Sequence, residues 1–177
     1  MKTNIVLTGF MGAGKSLVAQ TLSAHLDRLV FSTDELIIKR EGRPITEIFA
    51  DSGEDYFRKV EREVVEEVSQ KENIIIDCGG GVVVNPENAA NLKKGGTVFY
   101  LKASPQVIYD RIKTQAHRPL VNVEDPMAKI QELLSFREEF YVKADHVIIT
   151  DILSIEQVCE EVVTLLNFKQ ARGEGKG

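Results

Sequence analysis

A glycine-rich stretch near the start of the chain carries residues that suit phosphate chemistry. The segment Gly9–Ser16 reads GFMGAGKS and matches the P-loop pattern G-x-x-x-x-G-K-[ST]. Glycines let backbone N–H groups curl around an anion, and a following helix directs its free N–H groups to the same point. In such a motif the lysine reaches the outer phosphates and the hydroxyl binds Mg²⁺. The residues expected to contact the phosphates are Gly12, Ala13, Gly14, Lys15, Ser16 and Leu17.

The chain around this motif alternates between strand-like and helix-like segments. From Lys15 onwards the pattern is helical, with Leu17, Val18, Leu22 and Leu26 on one side. The strand-like runs are 4–8, 29–32, 73–78, 97–102 and 146–150. The helical runs between and after them are 34–41, 43–50, 52–70, 86–93, 105–113, 126 to about 144, and a last helix opened by a capping box of Ser154 and Gln157. Five strands separated by helices favour a three-layer α/β/α fold with a five-stranded parallel sheet.

Polar residues and glycines follow the predicted strands where each strand ends. Ser32 and Asp34 follow the second strand, which we expect to run beside the P-loop strand, and Asp77 and Gly79–Gly81 follow the third. Ligands of open parallel sheets lie beyond the carboxyl ends of the strands. The sequence therefore predicts one binding site that joins these segments to the P-loop.

Composition narrows the class of protein. The chain has 177 residues, 43% of them hydrophobic, which suggests one domain over residues 1–168 with a polar, glycine-rich, frayed tail at 169–177. The net charge of -5 argues against a nucleic-acid partner, and no apolar run is long enough to span a membrane. We expect no signal peptide, two reduced cysteines, a cytoplasmic location and a monomer.

Three arginines lie at positions of interest, and each has a simpler interpretation as a surface residue. Arg58 in FRKVE can pair with Glu61 one helical turn on, and Arg137 in FREEFY can pair with its neighbours Glu138 or Glu139. Surface ion pairs of this kind are common and contribute little stability. The third is Arg118, in a segment of about 114–125 that breaks the strand and helix pattern.

Taken together, the motifs resemble the shikimate kinase family. The matching stretches, in the order and spacing of that family, are GFMGAGKS, STD, GRPITEIF, FRKVE, CGGGVV, HRPL and FREEFY. They run from the first strand to about Tyr141 and so cover most of the chain. The combination of a glycine triplet, FR-x-x-E and RPL is not shared by P-loop kinases in general.

The resemblance implies a P-loop kinase fold with a mobile lid at about 114–125. It implies transfer of the γ-phosphoryl group of ATP to shikimate, giving ADP and shikimate 3-phosphate on the route to chorismate and the aromatic amino acids. The shikimate-binding region is expected at about 33–61. By the family's pattern, Asp34 binds the acceptor hydroxyls and orients or deprotonates the attacking one. The other expected contacts of shikimate are Phe49, Phe57, Arg58, Gly79, Gly80, Gly81 and Arg137.

The resemblance also implies contacts to the nucleotide beyond the P-loop. Arg118 is expected to ride on the lid and close on the transferring phosphate, as a catalytic partner of Lys15 and Asp34. Arg111 is expected to lie against the adenine, and the loop that begins at Thr150 is expected to border the adenine on its other side. A planar arginine fork suits a carboxylate substrate, and Lys15, Arg118 and Mg²⁺ can all offset charge on the γ-phosphoryl oxygens.

The chain departs from the family's pattern at one point that bears on the metal. The family usually has two aspartates, spaced D-x-D, at the end of the second strand, and here the first of these positions is Ser32. A neutral serine is a weaker partner for a hard cation. Asp77 ends the neighbouring apolar run, and our hypothesis is that it supplies the missing carboxylate. The residues predicted to serve Mg²⁺ are Ser16, Asp77 and Ser32.

Two alternative functions remain open from the sequence. The first is a gluconate-type kinase of the same fold, which the two arginines and the glycine triplet argue against. The second is a nucleotide-binding relative that has lost catalysis, which Ser32 alone encourages. The residues that argue against it are Lys15, Ser16, Asp34 and Arg118.

Overall fold

A five-stranded parallel sheet organises the protein. The computed structural model describes residues 2–113 and 123–173. Its strands are β1 Asn4–Thr8, β2 Val30–Ser32, β3 Ile75–Asp77, β4 Gly96–Lys102 and β5 His146–Ile149. They pair in the order β2-β3-β1-β4-β5, and every pair is parallel. The predicted five-stranded parallel sheet is confirmed, with strand bounds shifted by no more than a few residues.

Helices connect the strands and cover the sheet. The α-helices of the described residues are α1 Lys15–Leu26, α2 Thr33–Glu41, α3 Ile45–Ser69, α4 Pro86–Gly95, α5 Pro105–Ile112, α6 Pro126–Tyr141 and α7 Ile155–Gly173. Several begin where the sequence predicts, because a side chain caps the first turn. The Ser104 hydroxyl accepts the Val107 N–H, and Ser154 and Gln157 form the expected reciprocal capping box.

Helix α3 is broken at one glycine. Gly53 has φ +80° and ψ 173°, so two helical segments meet there at a kink. The sequence predicts two separate helices, 43–50 and 52–70, and the break confirms two helical segments, although it lies at the second residue of the latter range. After the kink, Phe57, Val60, Val64 and Val68 are buried, as their helical spacing predicts.

Two sequence predictions about this architecture are wrong. Strand β2 does not run beside β1, because β3 lies between them. Burial explains the order: β3 is fully buried, whereas β2 is only half-buried and suits the edge of the sheet. Leu17 does not share the buried side of α1, since it is 58% exposed while Val18 is buried. The buried side of α1 is formed by Val18, Ala19 and Leu22, and Leu17 lies about 200° around the helix from Ala19, so it faces away from the core.

The last helix also runs further than predicted. Helix α7 extends to Gly173, past the start of the expected frayed tail at 169. Residues 169–172 read KQAR, which are all good helix formers, and the first glycine of the tail is Gly173. None of the helices in the described ranges has the length and apolar character that crossing a bilayer requires.

Candidate active site

The P-loop joins β1 to α1 through a backbone that only glycine adopts without strain. Gly12 has φ +79° and Gly14 has φ +96°, both in the left-handed region. Helix α1 begins directly after Gly14, so its first N–H groups face the loop. The buried Lys15 folds back over this loop, and its ammonium donates to the carbonyls of Gly9 at 2.9 Å and Phe10 at 3.1 Å.

A carboxylate lies directly beside the P-loop hydroxyl. Ser16 Oγ donates a hydrogen bond of 2.6 Å to Oδ2 of Asp77, the last residue of β3. Asp77 is 7% exposed and sits opposite Ser32 in the register of β2 and β3. The predicted adjacency of these two strand ends is confirmed. Ser32 itself caps α2, because its hydroxyl accepts the Glu35 N–H at 3.3 Å.

The glycine triplet Gly79–Gly81 is packed by three charged side chains from different elements. A β-carbon on the first glycine would lie 2.2 Å from a carboxylate oxygen of Asp34. On the second it would lie 3.4 Å from Nη1 of Arg137, and on the third 2.9 Å from Nη1 of Arg58. The first glycine is therefore required by space, and a β-carbon on the third would displace the guanidinium of Arg58, whereas the second has room for a β-carbon at ordinary contact distance.

Other groups hold this loop in place. The Gly79 N–H donates to the hydroxyl of Thr33 at 2.8 Å. The Gly80 carbonyl accepts hydrogen bonds from the hydroxyl of Tyr141 and from Arg137 Nη1. Burial raises the pKa of Tyr141 to about 12, so this hydroxyl keeps its proton at neutral pH. Sequence reasoning missed Thr33 and Tyr141; the signal for Tyr141 is its place one helical turn after Arg137.

Arg58 is held between two glutamates of its own helix. Its Nη1 donates to the Glu61 carboxylate at 3.0 and 3.1 Å, and its Nε and Nη2 donate to Glu54 at 3.3 and 3.1 Å. The pairing with Glu61 that the sequence suggests is therefore present. Glu61 is 2% exposed, and this burial raises the pKa of its carboxyl above the usual range, although Arg58 acts in the opposite direction.

Arg137 does not form the surface pair that its neighbour Glu138 offers. The Glu138 carboxylate instead accepts from the hydroxyl of Tyr100 at 2.6 Å and from the ammonium of Lys102 at 2.5 Å. The guanidinium of Arg137 lies over the ring of Phe10, 5.5 Å from its centroid, and reaches the glycine triplet. The helix α6 thus directs this cation to the interior of the site.

Aromatic rings and a second arginine complete the walls. The rings of Phe49 and Phe57 pack with centroids 4.5 Å apart. Phe57 is buried, whereas Phe49 is 37% exposed. On the P-loop side, Arg111 donates to the carbonyl of Thr150 at 2.8 Å and to the Gly12 carbonyl at 3.3 Å. Arg111 and Thr150 therefore lie side by side next to the P-loop, and their contacts with an adenine stay predictions.

A single cleft of about 920 Å³ collects the predicted site residues that lie in the described ranges. Its lining includes Gly12, Ala13, Gly14, Lys15, Ser16, Leu17, Ser32, Asp34, Phe49, Phe57, Arg58, Asp77, Gly79, Gly80, Gly81, Arg111, Arg137 and Thr150. Arg118 and most of the predicted lid lie outside the described residues. The exposed side chain of Leu17 also belongs to this cleft, which accounts for its absence from the core.

The fold and the cleft define a class of protein. A P-loop at the end of the central strand, continuous with a pocket that holds two guanidinium groups and a carboxylate, is the arrangement of a P-loop kinase for small acidic molecules.

The comparisons with known proteins identify the family within that class. A family model described as shikimate kinase matches residues 11–167. A shikimate kinase of Caldanaerobacter subterraneus subsp. tengcongensis is 46% identical over 160 residues, which is 90% of this chain and 94% of that protein. The chain belongs to the shikimate kinase family and is an ATP-dependent phosphotransferase.

Solved structures agree with this assignment. The shikimate kinase from Acinetobacter baumannii in complex with shikimate superposes with a TM-score of 0.89 at 31% identity, covering 94% of each chain. The shikimate kinase from Aquifex aeolicus gives a TM-score of 0.80 at 35% identity, covering 96% of this chain and 99% of that one. The family finding favours this interpretation over the gluconate-type alternative.

Proposed function

We propose that the chain transfers the γ-phosphoryl group of ATP to the 3-hydroxyl of shikimate, giving shikimate 3-phosphate and ADP. The observation that carries this proposal is the packing of Asp34, Arg58 and Arg137 against one glycine triplet, in a cleft continuous with the P-loop. These groups suit an acceptor with a carboxylate at one end and hydroxyls at the other. The product would feed the synthesis of chorismate and the aromatic amino acids.

The two arginines are proposed to bind the shikimate carboxylate. Both reach the same loop, and guanidinium groups bind carboxylates through two parallel hydrogen bonds. The buried Glu61 fixes Nη1 of Arg58, which limits the freedom that binding would otherwise have to remove. Phe49 and Phe57 would wall the apolar face of the ring, and Gly79, Gly80 and Gly81 would bring the backbone close to it.

Asp34 is proposed to bind the acceptor hydroxyls and to take the proton of the attacking one. Its carboxylate lies at the start of α2, against the backbone of Gly79, and lines the same cleft as the P-loop. A carboxylate that accepts this proton increases the nucleophilicity of the oxygen as the new O–P bond forms. Phosphoryl transfer otherwise depends on positioning and on offsetting charge.

The P-loop side is proposed to bind ATP. Gly12–Leu17 would surround the phosphates with backbone N–H groups, and Lys15 would exchange its bonds to the loop carbonyls for bonds to phosphate oxygens. Arg111 and the loop that begins at Thr150 would border the adenine, a role supported by their position in the cleft beside the P-loop. The catalytic role of Arg118 and the closing of a lid stay predictions.

The residues beside the P-loop fit a magnesium ion. A hydroxyl and a carboxylate oxygen 2.6 Å apart, from Ser16 and Asp77, form an all-oxygen pair of the kind Mg²⁺ prefers, with Ser32 on the adjacent strand end. Within residues 2–113 and 123–173, no group of three His, Cys, Asp or Glu residues is placed to hold a metal ion, here or elsewhere. When bound there with ATP, the ion would neutralise charge on the phosphate oxygens.

The remaining predictions concern the whole protein. We propose that residues 1–168 act as one catalytic domain, with the shikimate-binding region at about 33–61, and that the protein works as a cytoplasmic monomer. Its partners would be ATP and shikimate rather than nucleic acid or membrane, in keeping with a net charge of -5.

The proposal is tested by measuring ADP release from ATP and Mg²⁺ with shikimate, with gluconate, and with neither. With ATP and Mg²⁺ present, we expect ADP release when shikimate is added, and none with gluconate or without an acceptor. Release with gluconate instead would identify the gluconate-type alternative. Tight nucleotide binding without turnover on either acid would identify the relative that has lost catalysis.

A further inference from the structure

The hydrogen bond between Ser16 and Asp77 has a direction that matters for the metal. Ser16 Oγ is the donor, at 2.6 Å, because the carboxylate is the acceptor. A hydroxyl that donates its hydrogen bond to a carboxylate keeps both of its lone pairs available for a cation. The bond also increases the negative charge on the oxygen, as outer partners of metal ligands do.

Asp77 is built into the sheet, whereas the hydroxyl that it orients is open to the cleft. Asp77 pairs with Leu7 of the central strand on one side and with Ser32 on the other, and it is 7% exposed. Ser16 is exposed and lies in the first turn of α1. A fixed carboxylate below an accessible oxygen holds that oxygen in one orientation.

The neighbouring side chains of Ser32 and Asp34 make contacts with other parts of the protein. Ser32 carries no charge, and its hydroxyl caps α2. The Asp34 carboxylate lies against Gly79, where the acceptor half of the cleft begins. Asp77 is the carboxylate that accepts a hydrogen bond from the P-loop hydroxyl itself.

We propose that Asp77 is the positioning carboxylate of the magnesium site, acting through the hydroxyl of Ser16. We also propose that this charge is transferable to residue 32, which faces it across β2 and β3. The inference rests on the proposed ATP and Mg²⁺ site, but not on the identity of the acceptor. Its consequence is that Asp77 couples nucleotide binding to Mg²⁺: it opposes bare phosphate and favours phosphate that carries the ion.

The test measures the affinity for ADP by titration calorimetry, once in EDTA and once in saturating Mg²⁺. The ratio of the two affinities is the magnesium coupling. In Asp77→Ala we expect this coupling to fall by about 10- to 100-fold, the usual effect of removing an outer partner of a metal ligand. Binding in EDTA should stay the same or become tighter, because a negative charge beside the phosphates is lost.

Two further variants separate charge from shape. Asp77→Asn keeps an oxygen that can accept the hydrogen bond of Ser16 but carries no charge. We expect the magnesium coupling to fall in this variant as well. The double variant Ser32→Asp with Asp77→Ala returns a carboxylate to the facing strand end. We expect it to recover most of the coupling that Asp77→Ala loses, and we expect Ser32→Asp alone to have a coupling at least as large as that of the unaltered protein.

Unchanged coupling in Asp77→Ala or in Asp77→Asn would overturn the proposal. Equal weakening in EDTA and in Mg²⁺ would also overturn it, because that is the result of a damaged P-loop. If the double variant did not recover the magnesium coupling, although its melting temperature matched that of Ser32→Asp, the proposal that the charge is transferable to residue 32 would be wrong. No shikimate is present, so a wrong acceptor would appear only in the ADP-release assay and leave this result intact.

Discussion

The two halves of the cleft both depend on glycines, but for different physical reasons. In the P-loop, Gly12 and Gly14 adopt positive φ angles of +79° and +96°, which other residues rarely tolerate. In the triplet Gly79–Gly81, no residue has a positive φ, and each glycine instead leaves room for a charged side chain. One half is shaped by the backbone, and the other by side chains that meet across the fold.

This difference explains how each half is encoded. The P-loop is contained in eight consecutive residues, 9–16, and can be identified without knowing the rest of the fold. The acceptor half draws Asp34 from α2, Arg58 from α3 and Arg137 from α6, and only the folded sheet brings them together. Damage to the first half should affect the nucleotide, and damage to the second should affect the acceptor and the chemical step.

The largest effect is expected from Gly79→Ala. A β-carbon there would lie 2.2 Å from Asp34, whose short side chain must move to make room. Misplacing a catalytic group by about 1 Å costs about 100-fold in rate, so kcat should fall by about that factor while ADP affinity stays unchanged. Steady-state kinetics and calorimetry measure both quantities.

Gly80→Ala is the matched control, because its nearest neighbour, Arg137 Nη1, would be 3.4 Å away and flexible. Its kcat should stay within about tenfold of the unaltered protein, a difference of about 1.4 kcal/mol in the barrier. A Gly79→Ala protein as active as Gly80→Ala would mean that space for Asp34 is not what the triplet provides.

Gly14→Ala should have the next largest effect, on the other half of the cleft. Its nearest neighbour would be 3.7 Å away, so the change tests conformation alone. A left-handed alanine costs about 1–2 kcal/mol, which predicts an ADP affinity lower by about 5- to 30-fold. The KM for shikimate should change little if the two halves are independent.

Gly42→Ala controls for this substitution, because Gly42 has φ +68° and open space around it, at the end of α2. It should lower the melting temperature without changing ADP affinity. If Gly42→Ala weakened ADP binding as much as Gly14→Ala does, the loss would reflect general instability rather than P-loop geometry.

A smaller effect is expected from Glu54→Gln in the acceptor half. The carboxylate of Glu54 occupies the Nε and Nη2 edge of Arg58, the edge that a substrate carboxylate would also use. Exposed ion pairs are worth about 0.2–1 kcal/mol, so releasing this edge should lower the KM for shikimate by about 1.5- to 5-fold. Steady-state kinetics with shikimate as the varied substrate measures it.

Glu67→Gln is the control for this variant, since Glu67 also pairs with an arginine, Arg40, and its side chain is similarly exposed, 65% against 66% for Glu54. Its KM should equal that of the unaltered protein. A higher KM in Glu54→Gln would show that Glu54 orients Arg58 for the substrate instead of competing with it.

The smallest effect concerns Glu61 and pH. Its pKa is higher in the folded protein than in the unfolded chain, so the folded state holds the proton more tightly. This stabilisation is complete below the unfolded pKa and is lost as pH rises through the folded pKa. Urea unfolding across that range should show the free energy of unfolding falling more steeply than in Glu61→Gln. Parallel pH profiles would contradict the raised pKa.

Much of the fold follows from local sequence signals. The P-loop, the five apolar strands and the capped helix starts at Ser104 and Ser154 are short patterns with a direct physical cause, and the structure confirms them. The order of the strands in the sheet does not follow from local signals, because it depends on which strand is buried on both faces. The apolar run of β3 favours a place inside the sheet, but the sequence of β2 carries no signal that β3 lies between β2 and β1.

The acceptor half is predicted less completely than the P-loop. Only the family resemblance predicts the roles of Arg58 and Arg137, because each has an adequate surface partner in the sequence. The sequence does show Glu61 beside Arg58, but not that its side chain is buried. Thr33 and Tyr141 hold the glycine loop through contacts that span 46 and 61 residues of chain, and such contacts leave no local pattern.

The pairing of Ser32 with Asp77 across the two strands bears on how such a site changes during evolution. If a charge can occupy either strand end, it can pass from one to the other in two mutations. The order of those mutations matters. If the second carboxylate is gained before the first is lost, a carboxylate is present at every step, whereas the reverse order passes through a form that has no carboxylate at either strand end. Selection would therefore act on these two positions jointly. A sequence comparison that treats each position separately would count a relocated carboxylate as a lost one.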